Sequence, residues 1–102
     1  MQNNSNETIT TITSTIIKPE EGDALNLVYS LKTLAGPEGE ELFALRVDKR
    51  TLGGTLIERE ETPALTGSLV DATAMANAFS VGSVPPCVLL EMVDEWYSSV
   101  AD

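Results

Sequence analysis

Two stretches of strict alternation stand out along the chain. Leu25, Leu27, Tyr29 and Leu31 alternate with Asn26, Ser30 and Lys32, with Val28 the only apolar residue in the polar series. Phe43, Leu45 and Val47 alternate in the same way with Arg46 and Asp48. A period of two sends successive side chains to opposite faces, so residues 25–34 and 41–49 are predicted to be half-buried strands. Ala35-Gly36-Pro37-Glu38-Gly39 between them has turn composition, which makes the pair an antiparallel hairpin.

Residues 8–17 form a Thr/Ile tract. Ile9, Ile12 and Ile16 also fit helical spacing, but the β-branched content favours a strand. Such an uncharged tract, flanked by Glu7 and Lys18, would leave an adhesive edge, so it either joins its own sheet or pairs with another copy. Pro19 to Asp23 is a turn in which Gly22 can take positive φ. After the glycines at 53 and 54, residues 55–61 offer another strand, with Leu56 and Ile57 and a charged end that suggests an edge or a strand leaving the sheet. Residues 1–6 are polar and are expected to form a frayed tail ahead of a single domain over 7–102.

Beyond residue 67 the period changes. Ser68 with Asp71 reads as a capping box, with Asp in place of the usual Glu or Gln, opening a helix to about Ser80. Leu69, Ala72, Met75, Ala76 and Phe79 fall within an arc of about 120° and define its core face. Gly82 is the expected C′ residue, and the Pro85-Pro86 pair starts a second helix. There Pro86, Leu89, Leu90, Val93, Trp96, Tyr97 and Val100 lie within about 60° of Val93, the sharpest periodicity in the sequence. The predicted fold is therefore α+β in two layers: an antiparallel sheet of three or four strands, with a C-terminal antiparallel helical hairpin on one face.

The order of these pieces carries a resemblance. A short strand pair, an acidic third strand, a Ser-capped helix and Val84-Pro85-Pro86 leading into Leu89-Leu90-Glu91-Met92-Val93-Asp94-Glu95-Trp96 resemble a family of small uncharacterised proteins from clostridial and related gut Firmicutes. The likeness covers roughly residues 25–97. It implies a cytoplasmic bacterial domain and transfers no catalytic residue. Members of that family often carry a polar residue or histidine where this chain has Cys87, a departure that counts against chemistry there.

Charge narrows the choice of partner. The chain has 102 residues, with 16 carboxylates against 6 basic groups and a net charge of −10. Only the middle is positive, since Arg46, Lys49, Arg50 and Arg59 meet just Asp48 and Glu58 there, whereas no basic residue follows Arg59. A nucleic-acid partner is not expected from such a field, although acidic mimicry of nucleic acid is one reading of it. The basic cluster could contact an anion, or simply form cross-strand ion pairs. No segment approaches the ~20 apolar residues of a membrane span, and residues 1–7 lack the pattern of a signal peptide, so the cytoplasm is the expected location.

Catalytic motifs are sparse. There is no histidine, and Cys87 has no base to activate it while Glu91 and Asp94 lie nearby on the wheel. Glu91, Asp94 and Glu95 share a helix face without the loop or cage that a hard cation needs, and the glycine pairs match no phosphate loop. No cofactor or metal is expected. The leading reading is a small acidic interaction or regulatory module without catalysis; a carboxylate enzyme using a divalent ion is the alternative. Its expected surface is Val88 and Met92, about 100° to 140° off the centre of the core arc, beside Ser99 and rimmed by Glu91 and Glu95. That surface fits an apolar partner with basic edges, or a second copy.

Overall fold

The computed structural model describes residues 7–100, with side chains over 7–98. The expected tail at residues 1–6 and the side chains of Ser99 and Val100 lie outside the described residues. Four strands, β1 (Thr8–Ile17), β2 (Leu25–Ala35), β3 (Glu41–Thr51) and β4 (Leu56–Glu61), form an antiparallel meander in the order β1-β2-β3-β4. They are followed by α1 (Leu69–Val81), a 3-10 turn at Pro86–Val88 and α2 (Leu89–Val100). The fold is the α+β, two-layer arrangement that the pattern predicts.

Alternation places the core. Leu27, Tyr29 and Leu31 of β2 and Phe43, Leu45 and Val47 of β3 meet Ala72, Met75, Ala76 and Phe79 of α1 and Leu89 and Val93 of α2. The Tyr29 hydroxyl donates to the Val84 carbonyl at 2.8 Å and so ties the middle of the sheet to the link between the helices. The β1 tract joins this sheet by pairing with β2. Its register slips between Thr11 and Thr13, which makes Ile12 an extra residue in a bulge. Ile12 packs against the core, while Ile9 and Ile16 stand opposite Lys32 and Asn26 on the other face.

The other face of the sheet is not simply solvated. Ser30, Ala44 and Asp48 are buried there, and Asp48 lies among the guanidinium groups of Arg50 and Arg59. Long basic side chains lying across a sheet can cover as much surface as apolar ones.

Both helices depart from their ideal wheels. Leu69, assigned to the α1 core arc, is 56% exposed, because burial of this helix begins only at Ala72. The Ser68 cap does form, with the Asp71 amide donating to Ser68 Oγ at 3.1 Å. In α2, Leu90 and Tyr97 are 45% and 37% exposed and Trp96 is half-buried. The angle between the helices accounts for this. The chain turns by 120° from α1 into the second helical segment, so the arms of the hairpin diverge and cover a narrower stripe of α2. The entry at Pro86–Val88 is a 3-10 turn, which takes those three residues off the 100° wheel.

The C-terminus of α1 closes one residue later than the glycine position implies. Gly82 has φ of −86°, and Ser83 takes the left-handed φ of 53°. The Ser83 amide donates to the Ser80 carbonyl and the Val84 amide to the Phe79 carbonyl, both at 3.0 Å, which is a Schellman closure. A Cβ in this region is strained by roughly 1 to 2 kcal/mol, partly offset by the greater backbone entropy that glycine loses on folding. Ser83→Gly should therefore stabilise the protein by about 0.5 to 1 kcal/mol. The check is a higher urea midpoint at unchanged denaturant slope.

Candidate functional site

Trp96 marks the surface with the most chemistry. One helical turn before it, Val93 is buried, and Leu89 at the start of α2 is fully buried, so the helix is anchored and Trp96 is carried to the edge of the core. Its ring meets Phe79 of α1 edge to face, with centroids 5.9 Å apart and planes at 89°. This is the favoured geometry for two quadrupoles, and it fixes the indole against α1.

A cleft opens on each side of the indole. One, of about 200 Å³, is lined by Phe79, Met92, Glu95 and Trp96. The other, of about 340 Å³, is lined by Leu65, Thr66, Asp71, Ala74, Trp96 and Tyr97. The segment before α1 is held in place by β3: the Phe43 amide donates to the Thr66 carbonyl at 2.8 Å, and the Leu65 amide donates to the Phe43 carbonyl at 2.8 Å. The Tyr97 hydroxyl donates to the Leu65 carbonyl at 3.4 Å, closing the second cleft at one end. Burial, and then the charge of Asp71, push the Tyr97 phenol above its ordinary range, so it is a neutral donor near neutrality.

The rim is acidic. Asp71, Glu91, Asp94 and Glu95 are all exposed on the two helices, and neither helix contains a basic residue. Aromatic and thioether floors bordered by carboxylates suit an apolar group carried beside a cation.

The structure gathers only part of the surface expected from sequence. Met92 is half-buried and lines the smaller cleft with Glu95. Val88 packs against the core within the 3-10 turn and lines neither cleft, and Glu91 is exposed on α2. Trp96 and Tyr97, assigned to the core by their periodicity, are the additional site residues; Leu65, Thr66 and Asp71 join them through tertiary contacts for which the sequence carries no signal.

The basic cluster is divided between two faces and paired. Arg46, Arg50 and Arg59 lie on the face away from the helices, while Lys49 follows Leu27 onto the helix side by register. Arg46 Nε donates to Glu61 at 2.6 Å, Arg50 and Arg59 both reach Asp48 at 2.8 Å, and Lys49 lies 3.3 Å from Glu58. Cross-strand ion pairing, the second reading of these residues, accounts for Arg46, Lys49 and Arg59, while Arg50 meets Asp48 within β3. Burial acts to raise the Asp48 pKa, but the guanidiniums of Arg59 and Arg50 outweigh it and hold the carboxyl below the usual range. Glu61 is held low in the same way, with burial opposed by Arg46 and Lys32.

No family model, curated protein or solved structure matches this chain.

Four remaining features bear on other readings. Among the described residues, no three of Asp, Glu and Cys stand close enough to share a metal ion. Cys87 is exposed in the 3-10 turn, where the sequence pattern puts it in the first turn of an α-helix. A further concavity of about 630 Å³ lies between the β1–β2 and β3–β4 turns, with Leu25, Leu52, Glu21 and Asp23 in its walls and no aromatic or basic side chain. Among the described residues, no single helix is long and apolar enough to cross a membrane.

Proposed function

We propose that this protein is a non-catalytic interaction module that docks a segment of a partner protein across the Trp96 clefts, the segment presenting an apolar side chain flanked by Lys or Arg. The observation that carries this reading is the position of Trp96 between two concavities, one edged by Glu95 and the other by Asp71. Aromatic anchors that become fully desolvated when a partner docks dominate the energetics of protein interfaces, and a carboxylate rim adds steering toward a basic partner. On this reading the module works in a bacterial cytoplasm, the setting implied by the resemblance of residues 25–97 to a family of small proteins from clostridial and related Firmicutes.

The test uses Trp96 as its own reporter, because it is the only tryptophan in the chain. Titration with synthetic peptides bearing Leu or Phe between lysines or arginines should change its emission and should weaken as salt rises. Met92→Glu and Glu95→Lys should each raise the dissociation constant about tenfold or more while the thermal transition is retained. An emission that never responds, or a response indifferent to both substitutions, would remove the proposal.

A further inference from the structure

The two edges of the sheet are built differently. β4 carries Glu58, Arg59, Glu60 and Glu61, the kind of charged guard that keeps an exposed strand from pairing with other chains. β1 has neither charge nor proline over its ten residues, and among the described residues only β2 pairs with it. One side of its backbone is therefore left with outward amides and carbonyls over roughly 30 Å. We propose that this edge pairs antiparallel with β1 of a second copy, in the register that sets Glu7 against the partner's Lys18.

Charge selects both the occupant and the register. Two molecules of net charge −10 repel each other, and β1 is a long neutral strip along which they can approach. Its ends carry opposite signs, Glu7 and Lys18, so a twofold axis through the strand centre brings acid to base at both ends. Lys18 is, among the described residues, the one basic side chain outside an ion pair; Lys32, Arg46, Lys49, Arg50 and Arg59 each hold a carboxylate.

The bulge makes this register consistent face by face. Ile9 and Thr11 precede it and Ser14 and Ile16 follow it, yet all four lie on the face away from the helices because the extra residue at Ile12 shifts the alternation. In the proposed register Ile9 meets the partner's Ile16, and Thr11 meets the partner's Ser14, same face to same face. A regular strand would put each of these pairs on opposite faces. Ile9 and Ile16, 41% and 65% exposed, would cover each other twice across the axis. The surface is separate from the Trp96 clefts, and neither requires the other.

The test is sedimentation equilibrium on the full chain and on Lys18→Glu, Glu7→Lys and the double reversal Glu7→Lys/Lys18→Glu. The wild type should form a dimer that dissociates on dilution. Each single reversal should raise the dissociation constant about tenfold or more, since attraction becomes repulsion at both ends, and the double reversal should restore it. Lys18→Glu is the cleaner single arm because Glu7 also lies 3.6 Å from Lys32 within the chain. Hydrogen exchange on the wild type should show alternate β1 amides slowing as concentration rises. A monomer up to about 1 mM would overturn the proposal. So would a dimer indifferent to both single reversals, a double reversal that fails to restore pairing, or a dimer abolished by Met92→Glu and untouched by Lys18→Glu.

Discussion

Replacing Tyr29 by alanine should cost about 3 to 5 kcal/mol, the range for truncating a large buried aromatic, and on a domain this small it should leave little cooperative unfolding at 37 °C. Tyr29 is fully buried in the middle of β2, and its hydroxyl donates to the Val84 carbonyl. Tyr29→Phe separates the two contributions. The ring stays, the Val84 carbonyl loses its donor, and the cost should fall to about 1 to 3 kcal/mol. Alkaline titration supplies an independent signature. Burial pushes the phenol from 10.0 up to about 12, so the folded state holds its proton where the unfolded chain has lost it. Stability should be complete below pH 10 and decline as pH rises from 10 toward 12. Urea unfolding across that range should show a weaker decline in Tyr29→Phe, with Tyr97 contributing a residual slope of the same sign.

Removing the Asp48 carboxylate should cost about 2 to 3 kcal/mol. Breaking a fully buried ion pair costs more, about 3 to 5 kcal/mol. Here the Arg50 and Arg59 side chains keep about a third of their surface in water and recover part of their solvation. Asp48→Ala leaves both guanidiniums without their shared acceptor on a face that also carries Arg46 and Lys32. Because the folded carboxyl titrates below its ordinary 3.8, its contribution is present above that value and is lost as pH falls through the lower folded pKa. Glu61 acts with the same sign below 4.5. The thermal midpoint of the wild type should therefore drop steeply between about pH 5 and 2, and that of Asp48→Ala less so. Equal acid slopes in the two proteins would show that Asp48 is not held as the geometry indicates.

Most of the architecture is legible in local pattern. Leu27, Tyr29 and Leu31 reach the core because alternation is a property of any extended chain, and Ser68 caps α1 because a hydroxyl there satisfies a free amide whatever the helix packs against. The Thr/Ile tract reads as a strand from its β-branching even though its isoleucines fit helical spacing. Their spacing is reconciled by the bulge, which turns Ile12 inward while Ile9 and Ile16 stay outside.

The sites were less legible because they depend on what is left uncovered. Arg46, Lys49, Arg50 and Arg59 form one cluster along the chain, but pleating separates Lys49 from the other three and each of the four is held by a carboxylate. Ser83 takes the left-handed position beside Gly82 because the Phe79 and Ser80 carbonyls determine where the helix closes. Trp96 and Tyr97 share the apolar periodicity of Leu89 and Val93, and nothing local distinguishes them. By itself the sequence determined the elements, their order and the face each one buries, since period, caps and turns act over a few residues. Only the tertiary structure decided where that burial stops: the 120° turn between the helices leaves Trp96 at the edge of the core, because coverage depends on the angle between packed elements, which no local period encodes.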